Sequence, residues 1–218
     1  MKKSTTVRPE NFINKFIDDS KNKENGRYQS WNKCFEYFSK LKNKKLTDKE
    51  LDYASLLLAF YLASWGMLRG SSFLLNYTYT IHINAIKIMF KDKYKNLWRT
   101  SKIDNFDKNK INLIFNLKQE LNEYYTKFNN YKNISNILIS KILLGVFGCI
   151  PAYDEYVKKG LKALGLQQKM SADGFKKIIE YFKKNRFKKT IKYKKYPIMK
   201  LIDMYLWILG LETSTKKD

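Results

Sequence analysis

One carboxylate, Asp154, is the best candidate for chemistry in this chain. It follows an apolar turn made of Phe147, Gly148, Cys149, Ile150 and Pro151. A helix is expected to begin close to Pro151, because the N–H that proline lacks is unused in a first turn. Asp154 then falls in that first turn, beside the positive end of the helix dipole. Many carboxylates at helix starts do nothing more than this. A carboxylate fixed there can also stabilise a developing positive charge and orient or deprotonate a water. Glu155 points in a different direction on a helix, so the two acids make no carboxylate dyad. Tyr153 and Tyr156 flank Asp154 and divide between core and pocket wall.

A second set of side chains lies around the irregular stretch MLRGSS, residues 67–72. Trp65 offers a flat aromatic face, Arg69 a fork of donors, and Ser71, Ser72 and Asn76 hydrogen bonds. Set against this, Trp65 reads equally as core and Arg69 as a solvated charge at a helix end. His82 follows the apolar Ile81 and reads as a satisfied structural histidine. As the single histidine it excludes a multi-histidine metal site. Cys34 and Cys149 are too few and too far apart for a disulfide framework or a metal cluster. Met67, Met89 and Met170 read as gap-filling core. No metal or cofactor is expected.

Charge points to the partner. The chain has 218 residues, with 43 Lys plus Arg against 20 Asp plus Glu, a net charge of +23. An AT-rich coding sequence favours lysine and asparagine but does not explain the scarcity of acids. Such an excess implies a polyanion, with nucleic acid first and an anionic membrane surface second. The run 183–196, KKNRFKKTIKYKKY, has eight basic residues interleaved with Phe187 and Tyr193. That pattern fits phosphate tracking with stacking. Asn185, Thr190 and Ile191 weaken the amphipathic membrane-surface alternative. The N-terminus MKKSTTVRPENF has no apolar signal stretch. The best membrane candidate, residues 54–68, is fifteen residues long, short of the roughly 20 needed to span. A soluble cytoplasmic protein, not bound to membrane and monomeric, is expected.

Helical periodicity runs through almost every segment, and no alternating strand pair is seen. Helices are expected over 10–21 and 30–42, then over 51–65 behind a capping box of Thr47 and Glu50. The last of these is the most apolar and is taken as the central buried helix. Further helices are expected over 79–95, over 111–128 behind Asp107, and on both sides of the 147–151 turn. Another starts at Ser171 or Asp173, and a last one runs over 197–209 before a frayed tail. The fold class is all-α: one compact multi-helix domain over 1–218, or two helical lobes around a groove, with a helix-hairpin-helix-like element at 131–165.

The order of helix, hairpin, helix and acid resembles the helix-hairpin-helix DNA glycosylases of the endonuclease III type. That family shows a Gly-Val-Gly hairpin, a helix, Phe-Gly, a short apolar link and a catalytic Asp. Here Asn133, Ile134 and Ser135 stand at the hairpin and Phe147 with Gly148 at the Phe-Gly. Asp154 follows within one residue of the family's separation. The resemblance covers residues 133–165 and implies that Asp154 is the catalytic carboxylate. It implies a monofunctional enzyme, because Ile137 occupies the place of the Schiff-base lysine of bifunctional members. The family's four-cysteine iron–sulfur cluster is absent. A competing register takes residues 144–148 as the hairpin and moves the acid towards Asp173.

On this resemblance the substrate is double-stranded DNA with one base flipped out. Breaking an N-glycosidic bond builds oxocarbenium charge on the sugar, which a fixed carboxylate stabilises. Trp65, Arg69, Ser71, Ser72, Tyr153 and Tyr156 are then the expected base pocket. Asn133, Ser135, Asn136, Lys141, Lys183, Lys184, Arg186, Lys188, Lys189 and Lys192 are the expected DNA seat. Small size and helical make-up are similar to those of glycosylases that remove glucosylated hydroxymethylcytosine from bacteriophage DNA. The alternative needs only charge and helices: a non-enzymatic DNA- or RNA-binding protein, such as a phage-encoded inhibitor or accessory factor.

Overall fold

A computed structural model describes residues 9–21, 25–98, 102–130, 132–185, 187, 193 and 195–215. Among them every regular element is a helix. The α-helices are α1 (Pro9–Lys21), α2 (Tyr28–Leu41), α3 (Asp48–Ser64), α4 (His82–Met89) and α5 (Lys108–Thr126). They continue with α6 (Asn136–Val146), α7 (Glu155–Ala163), α8 (Ala172–Lys184) and α9 (Ile198–Thr215). Short 3-10 turns fill the connections around α4 and before α5.

Local chemistry sets most of these starts. Thr47 and Glu50 form the expected capping box on α3. Asp107 accepts from the Lys110 N–H at 2.7 Å. Ser171 accepts from the Gly174 N–H at 3.1 Å, so the serine, not Asp173, opens α8. Each such cap is worth about 1 kcal/mol.

Two helices are enclosed on all sides. Every residue of 138–146 in α6 and of 198–208 in α9 is buried. This corrects the expectation that the helix over 51–65 is the central one. α3 is apolar all round, yet Tyr53, Leu56 and Phe60 on its outer face are exposed. Hydrophobicity alone does not tell which apolar helix acquires neighbours on every side. The single helix expected over 79–95 is also broken. It becomes a 3-10 turn, α4, and a second 3-10 turn over Asp92–Leu97, with Lys91 extended between them. The last helix reaches Thr215 instead of fraying after 209, and Thr213 and Ser214 hydroxyls donate to the Gly210 carbonyl.

α7 lies against α9 backbone to backbone. A Cβ on Gly160 would meet the Leu206 carbonyl oxygen at 2.2 Å, and one on Gly210 would meet the Tyr156 carbonyl oxygen at 1.8 Å. Only hydrogen fits at either place. The turn between α6 and α7 is similarly tight: Gly148 has φ +62°, and a Cβ there would strike Pro197 at 2.3 Å. Cys34 on α2 and Cys149 in this turn are fully buried free thiols.

Gly160→Ala forces α7 away from α9 and is expected to cost about 2–3 kcal/mol. A urea melt checks this by a lowered midpoint at unchanged slope.

Candidate functional site

Asp154 caps α7. Its Oδ1 accepts from the Val157 N–H at 3.1 Å, and the helix begins at Glu155, after the irregular link 151–153 and the extended Asp154. The carboxylate therefore stands one position before the expected first turn, still at the positive end of the dipole. Its other oxygen, Oδ2, is 3.6 Å from Lys141 Nζ of α6. The two side chains are 15% and 5% exposed.

A second pair completes the cluster. Lys200 Nζ donates to Asp203 Oδ2 at 2.8 Å within α9, at 4% and 6% exposure. Asp203 Oδ1 accepts from the Ala152 N–H at 2.9 Å. The Ser140 hydroxyl accepts from the Tyr153 N–H at 2.8 Å. These two bonds hold the link that presents Asp154, one from α9 and one from α6. Asp203 and Ser140 are thus positioning groups for the carboxylate.

Aromatic rings enclose the charges. Lys141 Nζ donates to the Trp65 carbonyl at 3.0 Å and lies 5.3 Å from that indole's centre. Lys200 Nζ lies 5.1 Å from the Phe16 ring, 5.0 Å from Trp31 and 5.7 Å from Trp65. Outside, the Arg27 guanidinium covers Trp65 at 5.2 Å, and Tyr28 packs edge-on against it at 5.5 Å. Tyr61 and Trp207 complete the walls. Gly145 admits Tyr61, since a Cβ there would fall 2.5 Å from its ring.

Burial pushes the Asp154 carboxyl above the usual carboxylate range; Lys141 opposes the rise and Asp203 adds to it. Burial likewise brings the Lys141 ammonium down, with Asp154 and Asp203 holding it up. A carboxyl so poised can pass a proton at a milder pH than a surface aspartate. The space the cluster encloses is about 10 Å³, room for a single water. A nucleobase does not fit until a wall moves. The Trp65 Nε1 is buried without a hydrogen-bond partner, and its ring is held by the cations of Arg27, Lys141 and Lys200.

The structure therefore brings Asp154 and Trp65 to one cleft, both meeting Lys141, and reaches Tyr156 through its edge-on contact with Trp207, centres 5.2 Å apart. Tyr153 is fully buried, its hydroxyl without a partner, and belongs to the core. Arg69, Ser71, Ser72 and Asn76 lie on the α3–α4 connection and do not line the cleft. Lys141, expected on the DNA seat, is instead turned inward. Asn133 and Ser135 are exposed on the α5–α6 link and Asn136 opens α6. Among the described residues of that link, Asn130 is left-handed, with φ +48°. The competing register forms no hairpin, because residues 144–146 are inside α6, and Asp173 lines a separate surface groove. Lys183 and Lys184 are exposed at the end of α8, Lys183 being 3.6 Å from Asp104. Arg186, Lys188, Lys189 and Lys192 lie outside the described residues.

Sequence reasoning missed Lys200, Asp203, Phe16, Tyr61 and Trp207. The signal for the first two was available: a Lys and an Asp three apart in an otherwise apolar run have to be paired if that run is buried. His82 is a core residue, Nδ1 2.7 Å from the Tyr125 hydroxyl, and burial lowers its imidazole to about 4. No group of three metal-ligating side chains occurs among the described residues. Nor is any helix among them long and apolar enough to cross a membrane. Comparison with protein-family models, curated proteins and solved structures found no match.

Carboxyl-carbon NMR is expected to show Asp154 titrating above the ordinary aspartate range, and higher again in Lys141→Met, where the opposing cation is gone. Because the folded state then holds the proton that the unfolded state releases, Asp154 makes stability fall as pH rises from the unfolded pKa through the folded one. Asp154→Asn removes that fall, which urea midpoints across the same pH window measure.

Proposed function

We propose that this chain is a DNA N-glycosylase that excises a modified or damaged base, with Asp154 as the carboxylate facing the sugar. The observation that carries the reading is a buried, upshifted aspartate at a helix start, fixed by Val157, Lys141 and the Asp203-held link, under stackable aromatic rings. Departure of the base leaves positive charge on the sugar, and a carboxylate held without reorganisation stabilises it. Lys141 keeps that carboxylate partly neutralised until the base arrives, and the ring of Trp65 supplies a stacking face. Entry requires Trp65 to swing outward with Arg27, so that the flipped base, unstacked from its duplex, lies against the indole face.

A second reading is favoured by the 10 Å³ volume. In it the two Lys–Asp pairs are structural and the chain is a nucleic-acid-binding protein without catalysis. The charge of +23 supports a polyanion in either case.

Base release separates the two. Ordinary, uracil-containing, alkylated and glucosylated-hydroxymethylcytosine DNA are incubated with the protein, then treated with alkali to cut abasic sites. The glycosylase reading expects cutting on one substrate, lost in Asp154→Asn by a factor of about 100 or more while binding persists. No cutting on any substrate, with salt-dependent binding to all, establishes the second reading.

A further inference from the structure

A groove distant in sequence from Asp154 concentrates positive charge. It has a volume of about 720 Å³, the size of a ligand cleft. One wall is the turn between α2 and α3, where Asn43 takes φ +64° and Lys44 N–H closes on the Leu41 carbonyl at 3.0 Å. This places Lys44 and Lys45 at the rim, both exposed. The opposite wall is the break after α4, which brings Lys91 and Lys95 to the other side. Phe90 and Trp98 form the floor, their ring centres 5.3 Å apart.

The charge balance distinguishes this groove from the others. Four lysines face one carboxylate, Asp92. The groove beside α8 sets three lysines against Asp173 and Glu180. The groove at the α5–α6 link has Lys118 alone among amides. In the Asp154 cleft two lysines meet two aspartates. Lys91 is anchored, since its Nζ donates to Glu120 at 2.7 Å, with Lys93 and the Tyr94 hydroxyl on the same carboxylate. Lys44, Lys45 and Lys95 make no ion pair among the described residues. Three exposed lysines on opposite rims, over an aromatic floor, describe a track for a chain of phosphates. A membrane surface, being flat, would meet only one rim.

We infer that the groove between the α2–α3 turn and the break after α4 seats the sugar–phosphate backbone of a nucleic acid. This rests on the nucleic-acid reading above and is independent of catalysis at Asp154. It puts the principal phosphate contacts on Lys44, Lys45 and Lys95, away from the 133–136 link.

Fluorescence anisotropy with labelled duplex and single-stranded oligonucleotides tests it, between about 50 and 200 mM salt. The triple variant Lys44→Glu, Lys45→Glu, Lys95→Glu is compared with Lys127→Glu, Lys162→Glu, Lys177→Glu, three exposed lysines elsewhere with the same change of charge. The groove variant is expected to lose at least about tenfold more affinity than the control, and to flatten the log–log salt slope by about 2–3. Alanine at the same positions should give the same order with a smaller loss. Equal losses in the two triples overturn the inference. So does wild-type protein that binds vesicles of phosphatidylserine and phosphatidylcholine but no nucleic acid. If the groove variant alone loses binding and no DNA releases a base, the groove stands and the glycosylase reading fails.

Discussion

The structure depends on the rule that a charge taken out of water must be met by another. Lys141, Asp154, Lys200 and Asp203 are each at most 15% exposed, and none could stay ionised there alone. Their mutual neutralisation lets the buried stretches of α6 and α9 carry charges at all. It also explains the course of the chain between α6 and α7. Asp203 reaches from α9 to the Ala152 N–H, so an otherwise unpartnered backbone donor and an otherwise uncompensated carboxylate satisfy each other. Removing either member of such a pair costs more than the pair itself contributes.

The aromatic rings around the cluster belong to the same logic. An ammonium held over three ring faces and one carboxylate is stabilised without water. Each buried acid is matched by a buried lysine, so the cluster is neutral and the net charge of +23 lies outside it.

Much of this was legible in the sequence, for local reasons. Caps at Thr47, Asp107 and Ser171 depend on neighbours within three residues, and amphipathic spacing defined most helices. Asp154 was recognisable as a helix-start acid for the same reason. What was hidden is long-range. Asp203 comes to the cleft from 49 positions beyond Asp154, and Phe16 from more than a hundred before it. Lys141 looked like a surface cation because lysines usually are; the apolar residues on both sides of it along α6 were the indication that it is not. The ranking of α3 above α6 and α9 failed because composition records how apolar a helix is, whereas burial records what surrounds it. The breaks flanking α4 arise from contacts such as Tyr94 to Glu120 at 2.7 Å, which no local pattern announces.

The two thiols have a use that follows from their place. Cys34 and Cys149 lie inside the core with their ionisation suppressed by burial, that of Cys149 pushed up to about 12. Thiolate, the reactive form, is therefore almost absent while the protein is folded. An alkylating reagent can reach them only when the helices around them part. The rate at which such a reagent consumes the protein is then a clock for global opening, free of interference from any surface sulfhydryl.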